Sequence, residues 1–147
     1  MQYPVGGGVS SGMIRLSCPH LVKAVDEYER QGALEEFDAI LADEVVGEKL
    51  RRNFLETNLA WREIRGKAVT EEERELMKKK LGEEGADHLM RSGIIGCTPG
   101  KNQVKCLHAH IADNLVRGTN EIGQLALTKL EERGVDVKGC AGKFYFM

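Results

Sequence analysis

The chain has 147 residues, 41% of them hydrophobic and 30% charged, and its 21 basic and 23 acidic residues leave a net charge of −2. One-domain length with this balance excludes a disordered or fibrous chain, and the mixed charge gives no reason to expect a nucleic-acid partner. No apolar run approaches the ~20 residues that span a bilayer, and the N-terminus lacks the basic and apolar regions of a secretory signal, so the expected compartment is the cytoplasm, away from membranes.

Residues 1–12 are rich in Gly and Ser and read as a flexible leader. They do not form a phosphate loop, because Ser11 stands where the Rossmann pattern needs a third glycine and Met13 stands where a P-loop needs lysine. Met13-Ile14-Arg15-Leu16 reads as a short extended segment. Ser17-Cys18-Pro19-His20 opens a helix, with Pro at the first helical position, and Leu21, Val22, Val25 and Tyr28 follow at helical spacing up to a stop at Gly32. A thiol at that helix start feels the positive pole, which favours thiolate, so Cys18 is a candidate ligand or reactive group.

Ala33 to Ala42 predicts a short amphipathic helix with Leu34, Phe37, Ile40 and Leu41 inward. From about Asp43 to Ala68 a long core helix is predicted, because Leu50, Phe54, Thr57, Trp61, Ile64 and Ala68 step by four and three along one face. Leu55 and Leu59 are expected to widen that face. Thr70-Glu71-Glu72-Glu73 has the capping-box pattern, and its helix runs to about Leu81 before Gly82 and Gly85 interrupt it. Residues 86–91 then supply one more turn or two.

Residues 93–100 read as a loop. Asn102 is the expected N-cap of a helix that carries Lys105-Cys106-Leu107-His108-Ala109-His110 and ends at Gly118. A last helix follows from Thr119 or Asn120 to Gly134. The tail, 135–147, contains Cys140 and ends in Phe144-Tyr145-Phe146-Met147, an apolar stretch expected to pack on the core, on a partner protein or on a second copy of the chain. The fold class is therefore mainly α: a single compact multi-helix domain over 1–147, with short extended segments near the N-terminus and in the C-terminal tail.

The Cys106–His110 stretch concentrates one of the four cysteines and two of the four histidines. Thiol and imidazole are the side chains whose charge and ligand chemistry are tuned near neutral pH. At 100° per residue, Cys106 and His110 share one helical face while His108 leans toward the apolar stripe of Val104, Leu107, Ile111 and Leu115. A cytoplasmic chain is expected to keep all four thiols reduced. There is no Cys-x-x-Cys pair, so a metal site would have to be assembled from distant segments. Lys101 and Asn102, placed before a helix N-terminus, form a second candidate, a generic anion site.

Leu16-Ser17-Cys18-Pro19-His20-Leu21, Tyr28-Glu29-Arg30-Gln31-Gly32, and Val104-Lys105-Cys106-Leu107-His108-Ala109-His110 followed by Gly118 and Asn120-Glu121-Ile122-Gly123 together resemble a bacterial family, domain of unknown function 501 (DUF501). Glu121 departs from the pattern, standing where the family turn has proline. The resemblance implies a bacterial protein whose functional residues are Cys18, Cys106, His108 and Cys140. These four are the expected ligands of zinc or an iron–sulfur cluster, with Cys97, His110 and His20 as further candidates. Two other readings stay open: a non-catalytic helical binding or scaffold module whose cysteines are core, and a thiol-dependent enzyme using Cys106 or Cys18.

Overall fold

The computed structural model describes residues 13–138 and the backbone of the strand Phe144–Phe146. The leader at 1–12, Cys140 and the side chains of the apolar tail lie outside the described residues. The protein is mainly helical. Strand β1 (Ile14–Leu16) precedes helices α1 (Pro19–Arg30), α2 (Ala33–Ala42), α3 (Gly47–Ala68) and α4 (Glu71–Arg91). A 3-10 turn (Ile94–Gly96), α5 (Leu107–Arg117), α6 (Glu121–Glu132) and β2 (Phe144–Phe146) complete the order. No described helix is long and apolar enough to cross a membrane.

The apolar periodicity forms the core as expected. Leu21, Val25 and Tyr28 of α1, Phe37 and Leu41 of α2, and Leu50, Phe54 and Trp61 of α3 are buried around α5 and α6. Pro19 occupies the first helical position of α1, and Gly32, at φ +99°, makes the tight corner into α2. The extended segment Ile14–Leu16 becomes β1, which pairs antiparallel with β2 through Ile14–Phe146 and Leu16–Phe144. The capping box forms at Thr70, whose hydroxyl accepts from the Glu73 N–H while the Glu73 carboxylate accepts from the Thr70 N–H. Gly82, at φ +78°, kinks α4 where the sequence placed its break.

The buried face of α3 is narrower than expected, and Ala68 at its end is exposed. Leu55 and Leu59 do not widen the buried face; they are exposed. Arg65, one turn beyond Trp61, is buried instead and donates to the carbonyl oxygens of Ser92 and Gly93. Those carbonyls belong to the loop folded under α3, and a guanidinium supplies several donors that a leucine lacks.

The start of α5 is the larger correction. The chain stays non-helical through 101–106, and the N-cap is Cys106, with extended backbone at φ −163° and ψ 123°. Asn102 is not a cap, so Lys101 and Asn102 do not stand at a helix N-terminus and the basis of the anion site is lost. Val104 explains the extension: its N–H donates to the Asp38 carboxylate at 2.8 Å, tying this segment across to α2.

α5 and α6 pack closely. A Cβ on Gly123 would lie 2.1 Å from the His110 carbonyl oxygen, so glycine is what lets the two backbones meet. Between them runs a buried polar network. The Asp113 carboxylate accepts from Trp61 Nε1 at 2.9 Å, from Arg117 at 2.6 and 2.7 Å, and from Asn120 Nδ2 at 2.9 Å. Asn120 also caps α6 through Gly123 N.

Candidate metal centre

The non-helical Cys106 changes which groups meet. Its thiol lies against the imidazole two residues on, with Sγ 3.4 Å from His108 Nδ1. His108 does not turn into the apolar stripe. It sits half-buried at the α5 N-terminus, facing the C-terminal half of α1. There His108 Nε2 meets Asp26 Oδ1 at 2.8 Å, and Nδ1 lies 3.5 Å from Glu29 Oε1. The other Glu29 oxygen accepts from the Leu107 N–H at 2.8 Å, which fixes the carboxylate and satisfies one of the free amides of the helix start. Asp26 and Glu29 are three apart on α1, so they share a face and both reach the imidazole.

One ligand atom each from Glu29, Cys106 and His108 lies within 4.8 Å of the other two. A tetrahedral zinc bonded at about 2.3 Å to sulfur and about 2.05 Å to nitrogen and oxygen requires S···N near ~3.6 Å and N···O near ~3.3 Å. The observed edges of 3.4 and 3.5 Å fall close to both values. With the Nε2 proton held on the Asp26 carboxylate, the proton lost on metal binding would be the one on Nδ1, which would turn its lone pair toward Cys106 and Glu29. That is the carboxylate–imidazole–metal arrangement that fixes a ligating histidine.

The electrostatics favour a cation at this spot. Burial works against a charged His108, but the Cys106 thiol, Glu29 and Asp26 outweigh it and push the imidazole pKa up to about 9. The same thiol and carboxylates would give a metal ion a negative field, and the ion would have to displace the Nδ1 proton.

The remaining sequence candidates are dispersed. Cys18 is fully buried and disulfide-bonded, which corrects the expectation that every thiol is reduced. Cys97 and Cys106 are free. Cys97 is buried behind the loop, where desolvation raises its pKa, and its thiol sits 3.9 Å from the Gln103 carbonyl oxygen. His20, at the surface, has Nε2 at 3.0 Å from the Asp136 carbonyl oxygen. Cys140 lies outside the described residues.

His110 does not share a face with Cys106. It is fully buried, with Nδ1 2.9 Å from Asn120 Nδ2 and 3.3 Å from Asn120 Oδ1 and the Phe54 ring edge-to-face at 5.4 Å. Of the four expected ligands, the structure brings together Cys106 and His108. Glu29 is marked in the sequence only by its place in the Tyr28–Gly32 segment of the family resemblance, and Asp26 only by its i, i+3 spacing from Glu29. That is a signal any solvated helix face could give.

Neither curated proteins nor solved structures match the chain significantly. The family described as "Protein of unknown function (DUF501)" matches residues 2–128, as the Ser-Cys-Pro-His and Lys-Cys-Leu-His segments suggested, and the chain belongs to that family.

Proposed function

We propose that this protein binds a zinc ion through Glu29 Oε1, Cys106 Sγ and His108 Nδ1, with Asp26 orienting the histidine. The observation that carries the reading is the pair of donor separations, 3.4 and 3.5 Å, which matches two edges of a zinc tetrahedron. A carboxylate–thiolate–imidazole set suits zinc better than an iron–sulfur cluster, which is held chiefly by thiolates. Three protein ligands leave a fourth position for water or substrate, the pattern of zinc centres that do chemistry rather than only hold a fold together. Cys18, already disulfide-bonded, and Cys140 have no part in this reading.

Cobalt substitution tests it. One equivalent of Co²⁺ should give thiolate-to-metal charge-transfer absorption that disappears in Cys106→Ser and is lost or weakened in Glu29→Gln and His108→Ala. A thiolate band that survives Cys106→Ser, or no band at all, would remove the proposal.

A second reading has one observation on its side. The order Cys106, His108, Asp26 is also that of a thiol nucleophile, its base and the base's orienting carboxylate. Alkylation separates the two. If zinc does not protect Cys106 from iodoacetamide and the thiol reacts rapidly at neutral pH, the thiol reading gains over the metal one.

A further inference from the structure

A second feature lies away from the metal centre, along the seam between α3 and α4. A groove of about 420 Å³ is lined there by Arg62, Arg74 and Arg91, with Leu59, Met90 and Gly66 among its other walls. Among the described residues, Arg91 is neutralised by Asp87 at 2.8 Å, and the groove's one carboxylate, Glu63, is taken by Lys67 at 3.1 Å. Arg62 and Arg74 carry no ion pair among the described residues. An adjoining hollow of about 280 Å³ shares Arg62 and Arg91 and adds His88 and the hydroxyl-bearing Thr98.

Arg62 and Arg74 line this groove, while Arg74 also borders a neighbouring hollow that holds Glu71, Glu83, Glu84 and Asp87. Guanidinium groups recognise phosphate through paired N–H donors and stack on planar rings. Leu59 and Met90 supply an apolar surface, and a thioether packs well against an aromatic face. Gly66 keeps the groove open, since a Cβ there would meet nothing within 4 Å. The volume lies within the usual range for a small-molecule site. We infer that the α3–α4 groove is a binding site for a small phosphate-bearing ring compound of the nucleotide class, with Arg62 and Arg74 on the phosphate and the Leu59–Met90 surface under the ring.

Calorimetric titration of the full chain with adenosine monophosphate, inorganic phosphate and adenosine, each alone, tests this. Adenosine monophosphate should bind, and both fragments should bind at least tenfold more weakly. Arg62→Gln with Arg74→Gln should weaken adenosine monophosphate at least tenfold without altering cobalt binding at Cys106. Gly66→Glu, which adds a carboxylate at an open position compatible with helix, should do the same and guards against misfolding of the double variant. No binding at millimolar ligand, or binding unchanged in both variants, overturns the inference. So does adenosine binding as tightly as the monophosphate. A single-stranded oligonucleotide bound far more tightly than the mononucleotide would overturn the assignment to a small molecule.

Discussion

Acidification should destabilise this protein through His110. The residue is fully buried, and burial holds its pKa at about 4, against 6.5 for the exposed group. Its Nδ1 lies 2.9 Å from Asn120 Nδ2 and 3.3 Å from Asn120 Oδ1, and its Nε2 has no hydrogen-bond partner among the described residues. Charging the ring would put an ion where no solvent reaches, and the Asn120 hydrogen bond and the Asp113 carboxylate offset only part of that cost. Between pH 6.5 and about 4 the unfolded chain is protonated here and the folded chain is not, so stability falls as pH falls through that window. From pH 7 to pH 5 the two pKa values give a loss of about 2 kcal/mol. His108 acts in the opposite sense. Its pKa is raised to about 9, so its stabilisation is complete below 6.5 and is lost as pH rises through 9, and it offsets part of the acid effect.

The comparison that isolates His110 is urea unfolding of the wild type and of His110→Asn at pH 7 and at pH 5. Asparagine keeps a polar atom near Asn120 but does not titrate. The wild type should lose about 2 kcal/mol more than the variant between the two pH values, whatever the variant's own stability. Equal losses in the two proteins would refute the assignment of a buried, neutral imidazole.

Three further outcomes are expected. Gly123→Ala places a methyl against the His110 carbonyl backbone, so α5 and α6 must part, and urea unfolding should show a loss of at least ~2 kcal/mol or no folded protein. Gly66→Ala, two residues from the end of α3 and facing open space, should raise stability by about 0.5–1 kcal/mol, and a loss would contradict the helical backbone there. Asp26→Asn keeps the fold but weakens the hold on His108 Nε2, so zinc affinity in a competitive chelator titration should fall ~10–100-fold. An unchanged affinity would deny Asp26 its orienting role.

Helix positions were legible because burial follows apolar spacing: Leu50, Phe54 and Trp61 reach the core at the predicted phase. The Thr70 capping box and the Gly82 break are local backbone chemistry and were legible for the same reason. The α5 start was not. Asn102 is a good cap by residue type, but the chain there is held extended by Asp38, a contact 66 positions away in sequence. That misplacement carried the site error with it, because a helical Cys106 pairs with His110 whereas an extended Cys106 pairs with His108. Arg65 and Asp113 were illegible for a related reason. Their burial depends on acceptors and donors from distant segments, and the charge pattern alone places both at the surface. The family resemblance selected His108 over His110, and the geometry favours the same residue. Glu29 lay within a matched motif without a role, since nothing local distinguishes a ligating carboxylate from a solvated one.

The central claim, a zinc ion held by Glu29, Cys106 and His108, is tested most directly by a crystal structure of zinc-loaded protein with anomalous scattering collected at the zinc edge. One strong peak should appear, bonded to Cys106 Sγ at about 2.3 Å and to His108 Nδ1 and a Glu29 oxygen at about 2.0–2.2 Å, with Asp26 still on Nε2. A peak at other residues, or none between α1 and α5 at full zinc occupancy of the crystal, would contradict it.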